Sequence, residues 1–184
     1  MKGWQRAAAP LVALFVASLI AACASVPQTA QPVSGETLSG RMSVRVAGSG
    51  GIEPRSVSAA FELHGDAQVG RLNLSTPLGS VLAQARWAPG SVVLAMPQGE
   101  QRFADLDALT QAVLGESLPV AALFDWLRGR PWPGAASTTS TAPAEPGFEQ
   151  LGWVVNLARF DEAWVDARRD RAPVVTVRAK LDRP

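Results

Sequence analysis

The chain has 184 residues, with 17 Lys and Arg against 16 Asp and Glu and a formal net charge of +1, which is one domain's worth of polypeptide and enough to enclose a core of its own. Its basic residues are scattered rather than gathered into the stripe that a phosphate backbone requires, which excludes nucleic acid as the partner. One cysteine and one histidine leave no disulfide framework and too few converging ligands for a metal centre.

The chain opens with Lys2 and Arg6, an apolar run from Leu11 to Ala22, and small residues leading to Cys23. This is the layout of a secretory signal, and the run is shorter than the roughly 20 apolar residues that a membrane helix wants. The tetrapeptide Ile20-Ala21-Ala22-Cys23 resembles the bacterial lipobox, in which lipid is attached to the cysteine and cleavage makes that cysteine the first mature residue. That accounts for the lone cysteine of an exported chain, which otherwise needs explaining. The competing reading is an uncleaved anchor with Cys23 as a stray thiol. On the lipobox reading the mature protein spans no membrane and is held by several acyl chains, which together give stable attachment. Residue 24 is Ala; the Asp that resembles an inner-membrane retention signal is missing there, which points to the outer membrane. Removing residues 1–22 takes two of the 17 basic residues and none of the 16 acidic ones, so the net charge turns from +1 to −1.

Residues 23–37 form a lipidated terminus and a Pro, Ser, Thr, Gln and Gly-rich tether without a period. A single domain is expected over residues 38–184. It starts with a two-residue period: Met42, Val44 and Val46 share a face, then Val57, Ala59, Phe61 and Leu63, then Leu72 and Leu74, then Val81, Ala83, Ala85 and Trp87, with "SVVLAM" following a turn at 88–90. Such one-sided strands with short connections describe an antiparallel sheet with one face covered. The period then changes. Asp105 caps a predicted helix running to Gly115, with Leu106, Leu109, Val113 and Leu114 as its apolar stripe. A second helix is predicted from "LPVAALFDWLRG", with Pro119 in its first turn, Val120, Leu123, Phe124 and Leu127 on one face, and Gly129 past its end. Residues 130–147 read as a long loop. Strand character returns in "FEQLGWVVNL", with Leu151, Trp153, Val155 and Leu157 in phase, and in "PVVTVRAKL". Strands, a helical pair and strands again give a mainly β, α+β chain rather than a doubly wound one. A curved sheet with helices at its opening encloses a cavity; a sheet filled solidly by its own side chains is the alternative.

Enzyme chemistry is hard to assemble. His64 in "ELHGD" reads as a solvated turn residue beside Asp66, and no G-x-S-x-G occurs. The carboxylates Asp105, Asp107, Glu116 and Asp125 stand at helix starts or on polar helix faces, their usual structural place. "AGSGG" at 47–51 does not lead from a strand into a helix as a dinucleotide site requires, and reads as a hairpin loop. The chain is therefore read as a non-enzymatic anchored domain.

One turn is unusual. In "STPLGS", residues 75–80, Pro77 and Gly79 mark a turn, yet Leu78 stands at its tip. Together with the Cys23 lipobox, "GRMSVRV" at 40–46, "RLNLSTPLGS" at 71–80, "LPVAALFDWLRGRPWPG" at 118–134, "FEQLGWVVNLARF" at 148–160 and Pro173, this ordered set resembles the outer-membrane lipoprotein receptor and insertase family of the lipoprotein-localisation pathway, LolB. The pieces cover most of the mature chain, although the chain ends at "AKLDRP" where the family continues to a terminal aromatic.

The resemblance implies an incomplete antiparallel barrel, a half-barrel, with a helical lid over an apolar cavity. It implies that the domain accepts lipoproteins from the periplasmic carrier LolA and inserts them into the inner leaflet of the outer membrane, as a lipid-anchored monomer facing the periplasm. No cofactor is implied beyond the acyl lipid on Cys23. Met42, Val44, Phe61, Leu72, Leu74 and Trp87 become the expected concave wall, and Leu106, Leu109, Leu123, Phe124 and Leu127 the lid side facing it. Pro77, Leu78 and Gly79 become the expected membrane-insertion loop. Trp126, Gly129, Gly152 and Trp153 carry the resemblance and fit structural roles. The competing assignment is a lipid-anchored envelope domain of similar fold that binds another apolar ligand or a protein.

Overall fold

The computed structural model describes residues 37–48, 50, 53–140 and 145–182. The expected signal segment, Cys23 and the tether up to residue 36 lie outside the described residues. Six strands come first: β1 Thr37–Val46, β2 Arg55–Gly65, β3 Gly70–Ser75, β4 Val81–Ala88, β5 Ser91–Met96 and β6 Gly99–Phe103. Two helices follow, α1 Leu106–Leu114 and α2 Val120–Trp126. Then come β7 Ser137–Thr139, β8 Gly147–Gln150, β9 Trp153–Asn156, a 3-10 turn Phe160–Glu162, β10 Trp164–Arg169 and β11 Val175–Leu181.

All the strands belong to one antiparallel 11-stranded sheet in the order β6-β5-β4-β3-β2-β1-β11-β10-β9-β8-β7. The first and last strands meet at its centre, where Met42 lies opposite Ala179 and Val44 opposite Val177. The outer strands β6 and β7 do not pair with each other, so the sheet is a barrel left open along one side. Strand alternation sends Val44, Val46, Phe61, Leu63, Ala85, Trp87, Val92 and Leu94 inward from one flank. From the other flank it sends Phe148, Trp153, Val155, Val165, Val175 and Val177, and all of these join α2 in one core. Arg41, Arg45, Glu62, Arg71, Arg86 and Arg178 face out. Gly70 is required on β3, since a Cβ there would stand 2.4 Å from the Trp87 ring. The end at which β1 and β3 finish is called the upper end below; Thr37 begins at the lower one.

The expected hairpins over β1 to β5 form. Other expectations are corrected. "FEQLGWVVNL" is two strands rather than one, because Leu151 (φ 55) and Gly152 (φ 75) make a two-residue turn. That turn reverses the phase, so Phe148, Gln150, Trp153 and Val155 face the core and Leu151 is exposed. Gly152 thus serves the turn, not close packing: a Cβ there would meet nothing within 4 Å. The predicted loop 130–147 contains β7, and β6 and β10 are further strands. α1 has its expected ends, with the Asp105 carboxylate accepting from the Ala108 N–H and Gly115 left-handed at φ 78. Its stripe is turned, however: Val113 is 42% exposed and Thr110 is buried instead. The Thr110 hydroxyl donates to the Asp107 carbonyl and accepts from the Leu118 N–H, which fixes that rotation. Pro119 is the residue before α2 rather than part of its first turn. His64 lies within β2, half-buried, its Nδ1 2.8 Å from the Thr37 hydroxyl, and is not a free turn residue.

Candidate functional site

The concave face of the sheet and the two helices lying on it build the candidate site. Of the expected wall residues, Val44, Phe61 and Trp87 are fully buried, while Met42, Leu72 and Leu74 are half-buried and pack against the core. Of the expected lid residues, Phe124 and Leu127 are buried and Leu106, Leu109 and Leu123 half-buried. The half-buried members keep part of their apolar surface accessible to solvent. At the lower end a pocket of about 300 Å³ lies between the β2–β3 turn, the β4–β5 turn and the start of α1, lined by Trp87, Val92, Leu106 and Ala121 with Gln68, Asp105 and Asp107 at its margin. This is at the small end of the range for ligand cavities, about 300–1,000 Å³. Trp87 and Leu106 are the expected residues that line it.

α2 turns its large apolar side chains into the interior, and its one charged residue, Asp125, pairs with Arg130 at 2.7 Å. Ala122, Phe124 and Trp126 are all buried. Phe124 meets Trp87 edge-on at 5.7 Å between ring centres, and Trp126 meets Trp153 at 5.9 Å and Phe148 at 6.4 Å. Gln150, an inward polar residue, binds this cluster to the sheet. Its Oε1 accepts from Trp126 Nε1 (2.8 Å) and the Trp132 N–H (2.9 Å), and its Nε2 donates to the carbonyls of Trp132 and Ala135 (both 2.8 Å). One buried side chain therefore satisfies α2 and the segment after it, and each such group left unpaired would cost about 1–3 kcal/mol. Sequence reading missed Gln150 because a polar residue at an inward position breaks the apolar alternation. Gly129 packs on Phe160, whose ring would be 2.6 Å from a Cβ, so it and the two tryptophans Trp126 and Trp153 serve the fold.

α1 is held by its ends. Above, Arg55 Nη1 donates to the Val113 carbonyl at 3.1 Å, and Arg169 on β10 pairs with Glu116 just past the helix at 2.7 Å. Arg169 is 5% and Glu116 20% exposed at the side chain, and the guanidinium lies 5.6 Å from the Trp153 ring centre. An inward arginine next to the apolar core is tolerable only with such partners; sequence alone gave no sign of the pair, which spans 53 residues of chain.

The β3–β4 turn is built rigidly. The Gly79 N–H donates to the Thr76 carbonyl and the Thr76 N–H to the Ser80 carbonyl, both at 2.9 Å, and the Thr76 hydroxyl accepts from the Ser80 N–H at 3.1 Å. Gly79 takes φ 85, a conformation that glycine adopts without strain. The turn leaves Leu78 95% exposed, with Val81 and Leu82 also exposed behind it. The leucine is not folded back onto the core.

Residues 37–176 match the family model for the outer membrane lipoprotein LolB. The chain belongs to the LolB family. It is 34% identical over 168 residues to the outer-membrane lipoprotein LolB of Bordetella petrii, covering 88% of this chain and 80% of the relative. Against the LolB of Bordetella pertussis it is 35% identical over 150 residues, covering 78% and 75%. The LolB of Cupriavidus metallidurans is 33% identical over 171 residues, covering 89% and 81%. The family match spans the described domain from the first residue of β1 to the second of β11, so the half-barrel is the family's domain. Among the described residues no group of three or more His, Cys, Asp or Glu is placed to hold a metal, and no helix is long and apolar enough to cross a membrane.

Proposed function

We propose that this chain takes lipoproteins from the periplasmic carrier LolA, holds their acyl chains against the apolar interior of the half-barrel, and releases them into the inner leaflet of the outer membrane. It does so while tethered by lipid on Cys23 and facing the periplasm. The observation that carries this reading is Leu78, 95% exposed on a turn whose backbone hydrogen bonds hold it out in water. An apolar side chain so placed gains by entering a lipid surface.

The transfer involves no covalent step. An acyl chain leaving water gains roughly 0.8 kcal/mol per methylene, so the interior needs only apolar surface that cargo can reach, which Met42, Leu72, Leu74, Leu106, Leu109 and Leu123 supply as half-buried residues. Such distributed contact has no single strong point and lets the chain leave again. The test is to mix loaded carrier with the lipid-anchored protein: cargo is expected to pass to it and, after vesicles are added, to the vesicles. A folded protein that takes nothing from its cognate carrier contradicts the assignment and favours a domain for some other apolar ligand.

A further inference from the structure

The strand order gives β3 and β8 the same direction, since six antiparallel steps separate them. The β3–β4 turn and the β8–β9 turn therefore both lie at the upper end. They stand on opposite flanks of the opening: β4 and β3 are the third and fourth strands from one open edge, and β8 and β9 the second and third from the other.

Leu151 occupies the first position of the β8–β9 turn. It is 48% exposed and has φ 55, a left-handed conformation that a branched apolar residue rarely adopts. The two-residue turn with both φ values positive favours Asn, Asp or Gly there. Leucine at this place is thus unfavourable twice, as exposed apolar surface and as backbone strain. Strain of this kind is retained where it serves a function.

The exposed apolar residues are also unevenly distributed. Among the described residues the large exposed ones are Val69, Leu78, Val81, Leu82, Val113, Leu151 and Val154. Val69 is in the β2–β3 turn at the lower end. The others lie at or beside the upper end, Val113 through the bond from Arg55 at the start of β2.

We propose that Leu151 is a second lipid-contacting tip, and that it and Leu78 seat the upper end of the half-barrel on the membrane surface from both sides of its opening. The inference rests on the membrane-delivery reading above. A single apolar tip leaves the barrel free to swivel about it; two tips on opposite flanks restrict it and hold the opening in one attitude to the bilayer. The tether is long enough for this. About 14 peptide steps separate Cys23 from Thr37, an upper reach of roughly 48 Å, against about 33 Å for the length of β1.

The test uses the full lipid-anchored chain, loaded carrier, and vesicles of phosphatidylethanolamine and phosphatidylglycerol. Leu151→Asn and Leu151→Gly both suit the left-handed turn, so each is expected to unfold at the same denaturant concentration as the parent or a higher one and to accept cargo from the carrier at the parent rate. Delivery to vesicles is expected to slow by about tenfold. Delivery at the parent rate in both variants overturns the second tip. Leu78→Glu, run alongside, separates the two ideas: if it slows delivery while the Leu151 variants do not, only the second tip falls, whereas parent-rate delivery by Leu78→Glu removes the membrane-delivery reading itself.

Discussion

The two helices lie on the same concave face and are held in opposite ways. α2 is anchored in the core: Trp126 is 0% exposed, meets Phe148 edge-on and Trp153 at a tilt, and is bonded to Gln150. α1 is half-buried, shows Val113 to solvent, and is fixed by a cap at its start and by Arg55 and the Arg169–Glu116 pair at its end. A short helix draws its stability from what it packs against, so α2 is part of the core and α1 is the element that can yield. The lid over the interior is in this sense mainly α1, with α2 as its fixed support.

The strongest test of that contrast is Trp126→Ala. It removes a buried aromatic and leaves Gln150 short of a donor, and is expected to cost about 3–5 kcal/mol in denaturant unfolding. A loss below about 1 kcal/mol would place α2 outside the core.

Glu116→Gln comes next, at about 3 kcal/mol, because it leaves Arg169 buried without its counter-charge. Hydrogen exchange should locate this effect, with α1 amides exchanging faster while those of α2 stay protected. Equal acceleration in both helices would dissolve the distinction. Adding Arg169→Met to Glu116→Gln should recover much of the loss, since apolar packing can replace a buried pair.

Asp105→Ala removes the N-terminal cap of α1 and is expected to cost about 1 kcal/mol, again confined to α1 in exchange.

The smallest effect lies on the outer surface, at the exposed pair Arg159–Glu162. The hydrogen bond from Arg159 holds the Glu162 carboxyl below its usual range, and the same bond raises the Arg159 guanidinium. A depressed carboxyl contributes stability above its unfolded pKa and loses it as pH falls through the folded value. Glu162→Gln should therefore lower the melting temperature slightly at neutral pH and not at all in strong acid, with the difference shrinking in high salt. A pH-independent change would show that the pair acts through packing.

Much of the sheet was legible because alternation reports which face a side chain takes. It does not report depth. Val44 and Met42 share a face, yet Val44 is buried and Met42 half-buried. The caps of α1 were legible because Asp and Gly have local reasons to stand there. Three strands were not, and one of them, β7, is only three exposed residues at a sheet edge. β6, "GEQRF", is an edge strand exposed along nearly all its length, so no apolar face marks it. β10, "WVDARR", ends its inward row on Arg169, whose partner Glu116 is remote in sequence. Leu151 reads as a core position because a two-residue turn is hidden inside an apparent strand. Leu78 was the most legible exposed apolar residue: its neighbours announce the turn, and a leucine at a turn tip raises the question of what it touches.

In the proposed function the interior serves acceptance and the Leu78 tip serves delivery. The direct measurement follows both steps for Leu78→Glu in one experiment, with labelled lipoprotein passing from carrier to the anchored protein and then to vesicles. Acceptance at the parent rate is expected, with delivery slowed by about tenfold or more. Delivery by Leu78→Glu at the parent rate would overturn the role of the tip, whether or not acceptance falls.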